Sequence, residues 1–166
     1  MKLFTGLILS CLLATACASR KESEPVAPPV EQAVATSSVV PAVSVVPESA
    51  LGPQSLLRGE CGLFIWSQTD QTQFIFFQKA ETGVATLQIG SQTVTATQTA
   101  NRGSIFGQFM TEQGYAAPGG EQVLLRVEPG DDLQGGQRIT AGHLTITAAG
   151  GWRTVIPVRG VRACQP

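Results

Sequence analysis

Four cysteines and a single histidine are the residues whose chemistry depends most on where they fall. Cys11 and Cys17 lie close together near the start; Cys61 and Cys164 lie far apart. A zinc site draws on several Cys and His side chains brought together. A nucleophilic cysteine needs a base beside it. His143, the only histidine, supports neither well. It could serve a serine or threonine nucleophile, but no G-x-S-x-G elbow is present. A phosphate-binding loop and a dinucleotide fingerprint are also missing, so no cofactor is implied. Glu128, Asp131 and Asp132 in EPGDDLQGGQ lack the spacing of a calcium loop and read as a solvated turn, with no metal. These residues point away from catalysis. A hydrolase using His143 is the weakest of the functional alternatives.

What the cysteines can do depends on the compartment, and the N-terminus speaks to that. In MKLFTGLILSCLLATAC, Lys2 precedes an apolar run from Leu3 to Leu13, followed by Ala14, Thr15 and Ala16. Such a run is too short to cross a hydrocarbon core of ~30 Å. It has the layout of a cleaved export signal, residues 1–16. An apolar stretch, then Ala14-Thr15-Ala16, then Cys17 resembles a bacterial lipoprotein signal. That resemblance implies cleavage before Cys17 and acylation of its sulfur and new amine. Ala14 stands where that family usually has Leu, and Ala14-x-Ala16 also fits ordinary secretory cleavage. The same resemblance implies, from Ala18 after the cysteine, sorting to the outer membrane, facing the periplasm. A soluble periplasmic or secreted protein is the alternative. Cleavage removes Cys11 and lipidation uses Cys17, which leaves Cys61 and Cys164 as an even pair in an exported chain. Such a pair reads as a disulfide.

Composition then divides the mature chain. Residues 17–57 hold six of the ten prolines and no aromatic side chain. Proline, serine, alanine, valine and glutamate predict a disordered, lipid-anchored tether. The valine pairs at 39–40 and 45–46 are the dissent: they could form a short edge strand or dock on the domain or on a partner. Residues 58–166 have the length of one domain. Their eight Lys and Arg balance eight Asp and Glu, which argues against nucleic-acid binding. Sixteen glycines there punctuate short Val, Ile, Thr and Phe runs. This predicts an all-β fold, a small antiparallel barrel or a two-sheet sandwich of about eight strands.

Two hairpins have a readable register. Gly90-Ser91 as a two-residue turn sets Ile89 opposite Gln92, Leu87 opposite Val94 and Ala85 opposite Ala96. Gly150-Gly151 read the same way sets Ile146 opposite Val155, Leu144 opposite Pro157 and Thr147 opposite Thr154. Other strands are predicted at 62–67, 73–79, 104–110, 122–127 and 137–141.

The stretch CGLFIWSQTDQTQFIFFQK is apolar on both faces of its strands, because alternate residues point to opposite sides. One face can fill the core. The domain itself could cover the other, for instance with a short helix around 110–117. Alternatively that face is an exposed binding patch or a dimer interface. Phe64, Trp66, Phe74, Phe76, Trp152 and Arg153 are the candidate binding residues, with Trp66 and Phe76 as anchors. Arg138, Arg153, Arg159 and Arg162 make the C-terminal third basic, suited to a solvated face or to an anionic lipid headgroup, glycan or acidic protein. The leading reading is an envelope lipoprotein whose β-domain binds another macromolecule, protein or glycan. A carrier of small apolar ligands, which needs a hollow barrel, is the runner-up. A lipid-anchored β-domain of this size with a terminal disulfide also looks like the periplasmic inhibitors of c-type lysozyme, and that likeness implies inhibition of a cell-wall hydrolase. Their Ser-Gly…Tyr and Lys-Gly loops have no counterpart here: GSIFGQFMTEQGY reverses the first, with Gly103-Ser104 and Tyr115, and no Lys-Gly occurs.

Overall fold

A computed structural model describes residues 44–69 and 72–166. The export signal, Cys17 and most of the tether lie outside the described residues. Eight antiparallel strands form one closed barrel in which every strand pairs with its neighbour in sequence and β8 closes on β1. They are β1 Cys61–Ser67, β2 Phe74–Lys79, β3 Val84–Ile89, β4 Gln92–Phe106, β5 Phe109–Ala116, β6 Gln122–Leu133, β7 Gly136–Thr147 and β8 Arg153–Cys164. The fold is therefore the barrel rather than the sandwich.

The interior is packed. Leu63, Ile65, Ile75, Phe76, Leu87, Tyr115, Leu125, Ile139, Leu144 and Ile146 are all fully buried. Outward positions on β3 and β4 carry Thr86 opposite Thr95, Gln88 opposite Thr93, and Thr97 opposite Val84. On these two strands the inside is apolar and the outside mostly polar, the reverse of strands that face lipid.

The Gly90-Ser91 hairpin has the predicted register, with Ile89 opposite Gln92, Leu87 opposite Val94 and Ala85 opposite Ala96. The β7–β8 hairpin differs from expectation by one residue. Thr147 pairs with Arg153, Ile146 with Thr154 and Leu144 with Ile156. The reason lies in the loop. Gly151 adopts a positive φ of 87°, its N–H bonds to the Ala148 carbonyl, and the Ala148 N–H bonds to the Trp152 carbonyl. This is a turn extended by a glycine bulge, one residue longer than a two-residue loop. A one-residue slip exchanges the faces of the whole strand, so Ile156 and Val158 are buried while Val155 is exposed.

Three further expectations are corrected. Residues 104–110 are not one strand: β4 ends at Phe106 and β5 begins at Phe109, with Phe106 and Phe109 paired across Gly107 and Gln108. No helix occupies 110–117, which belongs to β5 apart from its last residue. The acidic stretch Glu128–Asp132 lies within β6 rather than in a loop.

The ordered unit also begins before the boundary drawn at 57 and 58. Val45 is buried in the barrel core. The Glu48 N–H bonds to the Gly90 carbonyl and the Leu51 N–H to the Phe74 carbonyl. Ser49 accepts a hydrogen bond from the Gln88 side chain. β2 and β3 pair only over Phe76–Gln78 and Ala85–Leu87. Residues 44–51 therefore bond to both strands beyond the point where their own ladder lapses. Cys61 and Cys164 are directly opposite on β1 and β8 and are joined by a disulfide.

Candidate functional site

The two-faced aromatic strands resolve through a bulge. Ile65 pairs with Phe76 and Trp66 with Phe74, so Ile75 is an extra residue on β2. A bulge lets two successive side chains share a face, and Ile75 and Phe76 are both fully buried in the core. Phe76 packs edge-on against Tyr115 with ring centroids 5.4 Å apart. It is thus an interior residue and not, as expected, an anchor of the binding patch.

Outside the barrel, registers place the remaining aromatics in two rows. The first runs Phe77, Phe64, Val161, Arg138 across β2, β1, β8 and β7. The second runs Phe74, Trp66, Arg159 across β2, β1 and β8. The rings of Phe64 and Trp66 lie 22° from parallel, and those of Phe64 and Phe74 25°. Phe77 tilts against Phe64 at 4.9 Å between centroids.

The preceding chain covers one end of this platform. Leu56, Phe64 and Phe77 converge over Gly62, whose missing side chain leaves them room. Phe77 is buried as a result, whereas Phe64, Trp66 and Phe74 remain half-buried. Part of the face is therefore covered by the domain's own chain, and part faces solvent.

Beside Trp66 lies a groove of about 350 Å³ lined by Trp66, Gln68, Arg138, Thr140, Arg159 and Val161, among others. Two features shape it. Gly160 lies so close to β1 that an added Cβ would run into the Phe64 carbonyl. β7 shifts register between Ile139 and His143 against β8, a bulge of the kind that re-aims neighbouring side chains. Among the described residues, neither Arg138 nor Arg159 forms an ion pair or a side-chain hydrogen bond. Among the described residues, no acidic side chain lines the groove.

Trp152 and Arg153 are elsewhere. They sit at the β7–β8 loop, and Arg153 is six residues along β8 from Arg159, on the order of 20 Å at strand rise. Trp152 is 79% exposed. The six expected patch residues thus split into an outer-wall trio, one core residue and a loop pair, while Arg138 and Arg159 join the trio. Arg162 points the other way: it pairs with the inward Leu63, and its Nη1 lies 3.5 Å from Gln108 Oε1 and from Cys164 Sγ.

His143 is exposed in a shallow depression with Thr111, Glu112, Arg126 and Glu128. Its side chain makes no hydrogen bond among the described residues. Glu112 is already engaged: Arg126 Nε donates to it at 2.8 Å, and this bond, with Arg102 near by, holds its carboxyl below the usual carboxylate range. Thr111 Oγ1 accepts from the Ser104 N–H. His143 thus lacks an oriented partner of the sort a catalytic base needs. Among the described residues no three His, Cys, Asp or Glu side chains cluster to hold a metal.

The fold and this face define a class: a filled, disulfide-closed meander barrel with an aromatic and arginine platform on its outer wall. No family model matches the chain, and neither the curated proteins nor the solved structures include a match.

Proposed function

We propose that this is a lipid-anchored cell-envelope protein whose barrel is a non-catalytic binding or accessory module, engaging another envelope macromolecule through its outer wall. The observation that carries the reading is the half-buried platform of Phe64, Trp66 and Phe74 beside Arg159 and Arg138, which form no ion pair among the described residues. Aromatic and arginine side chains dominate binding hot spots. The packed interior speaks against a carrier, whose ligand needs a hollow barrel. The disulfide suits an oxidising compartment, and the sequence before Cys17 suits lipidation there.

A photo-crosslinking amino acid placed at Val161, inside the groove, tests this in intact cells. Thr95, exposed on β4, serves as the control. The reading requires a discrete adduct from Val161 and none from Thr95. Equal labelling from both, or no adduct from Val161, removes it.

A further inference from the structure

We propose that the groove between Trp66, Arg159 and Arg138 binds an acidic glycan, a sugar chain whose units carry carboxylates. This rests on the outer-wall binding reading and names its ligand class. Trp66 lines the groove, and Phe64 and Phe74 pack beside it with ring centroids 6.5 Å and 5.1 Å from its own. A half-buried indole braced in this way offers stacking area to the C–H face of a sugar. Arg159 stands directly across from Trp66. Arg138 is paired with Val161, two residues further along β8, so the two cations stand together on the β8 side of Trp66, at a diagonal spacing of about 7–8 Å. Each guanidinium presents a planar fork that matches a carboxylate in bidentate fashion. Gln68 and Thr140, also in the lining, supply hydroxyl partners. Among the described residues the lining's charge is wholly positive, complementary to a polyanion.

Other anionic partners fit less well. An acidic peptide added as a strand needs a free sheet edge, and the closed barrel offers none in its described strands. A lipid surface would meet a protruding side chain, but Trp66 is half-buried in a side-wall groove.

The chain has two tryptophans, so the full-length Trp152→Phe protein in detergent reports on Trp66 alone. Hexagalacturonate is titrated against its fluorescence, beside the methyl-esterified hexamer, hexaglutamate and glycerol phosphate. The proposal expects saturable quenching by hexagalacturonate, and binding weaker by about tenfold or more for the ester. Arg138→Gln and Arg159→Gln should each weaken binding by about tenfold, the scale of a lost charge-assisted pair, with unchanged unfolding midpoints. No quenching, an equal response to the ester, retained affinity in both arginine variants, or tighter binding of hexaglutamate or glycerol phosphate overturns it. If the sugar fails while Val161 still crosslinks, the glycan is wrong and the binding wall stands. If both fail, the wall is wrong as well.

Discussion

Trp66 and Arg159 face one another across the seam where β1 meets β8. The aromatic run lies near the start of the domain and the arginines near its end, so closing the barrel is what makes the platform. Anything that weakens the seam should weaken the site with it.

The disulfide at that seam closes a sequence separation of 103 residues. The chain-entropy model assigns about 4–5 kcal/mol to a loop of that length. Reduction, or Cys61→Ser with Cys164→Ser, should lower the urea midpoint accordingly while the change in surface exposed is dominated by the same barrel. A midpoint that ignores reductant would contradict this.

The β7–β8 register makes a sharp contrast between adjacent residues. Val155 is 53% exposed and Ile156 3%. Val155→Thr should change stability by no more than about 0.5 kcal/mol, whereas Ile156→Ala should cost about 2–5 kcal/mol. Denaturant melts of the two variants decide it, and the order would reverse for a strand shifted by one.

That hairpin also shows what the sequence made legible. At Gly90-Ser91, turn chemistry and alternation agree, because Thr and Gln on one face leave a single register that buries Leu87 and Ala96. At Gly151 the run Val155, Ile156, Pro157, Val158 is apolar in either register, so pattern could not detect the added bulge residue. The bulge at Ile75 was hidden in the same way by FIFF, and with it the split between Phe76 inside and Phe74 outside. Gly107-Gln108 is a turn between Phe106 and Phe109, yet its flanking residues do not alternate. The joining of Trp66 to Arg159 needed the closure of the barrel, which no local pattern encodes.

Tyr115 is fully buried and its hydroxyl donates to Gln78 Oε1 at 2.6 Å, with Gln113 Oε1 at 3.0 Å. Burial raises its pKa far above the ordinary phenol value. In the unfolded chain it ionises near pH 10; in the folded chain it stays protonated. Below pH 10 both states hold the proton and the contribution is intact. Above it the unfolded state loses its proton first, so stability falls as pH rises. Tyr115→Phe should flatten that alkaline loss, and at pH 7 it should cost about 1–3 kcal/mol for the Gln78 amide oxygen left without its donor, since Gln113 Oε1 keeps its bond from Gln98 Nε2. Urea melts from pH 7 to 11 measure both.

Gly90 has a φ of 56°, and an added Cβ would lie 2.5 Å from the Ser44 carbonyl oxygen. Gly90→Ala should therefore loosen residues 44–51 at a cost of about 1 kcal/mol or more. Hydrogen exchange should then show faster exchange at the Glu48 and Leu51 amides, with the barrel strands unchanged. Equal protection in both proteins would mean that the segment is held by something other than this contact.

Neighbour-only pairing plus a sulfur link between the first and last strands makes the barrel a topological ring. Its starting point is then a matter of bookkeeping rather than of structure. A gene rearranged to open between Gly150 and Gly151, with the old ends spliced through a short linker, keeps every strand beside its present partners.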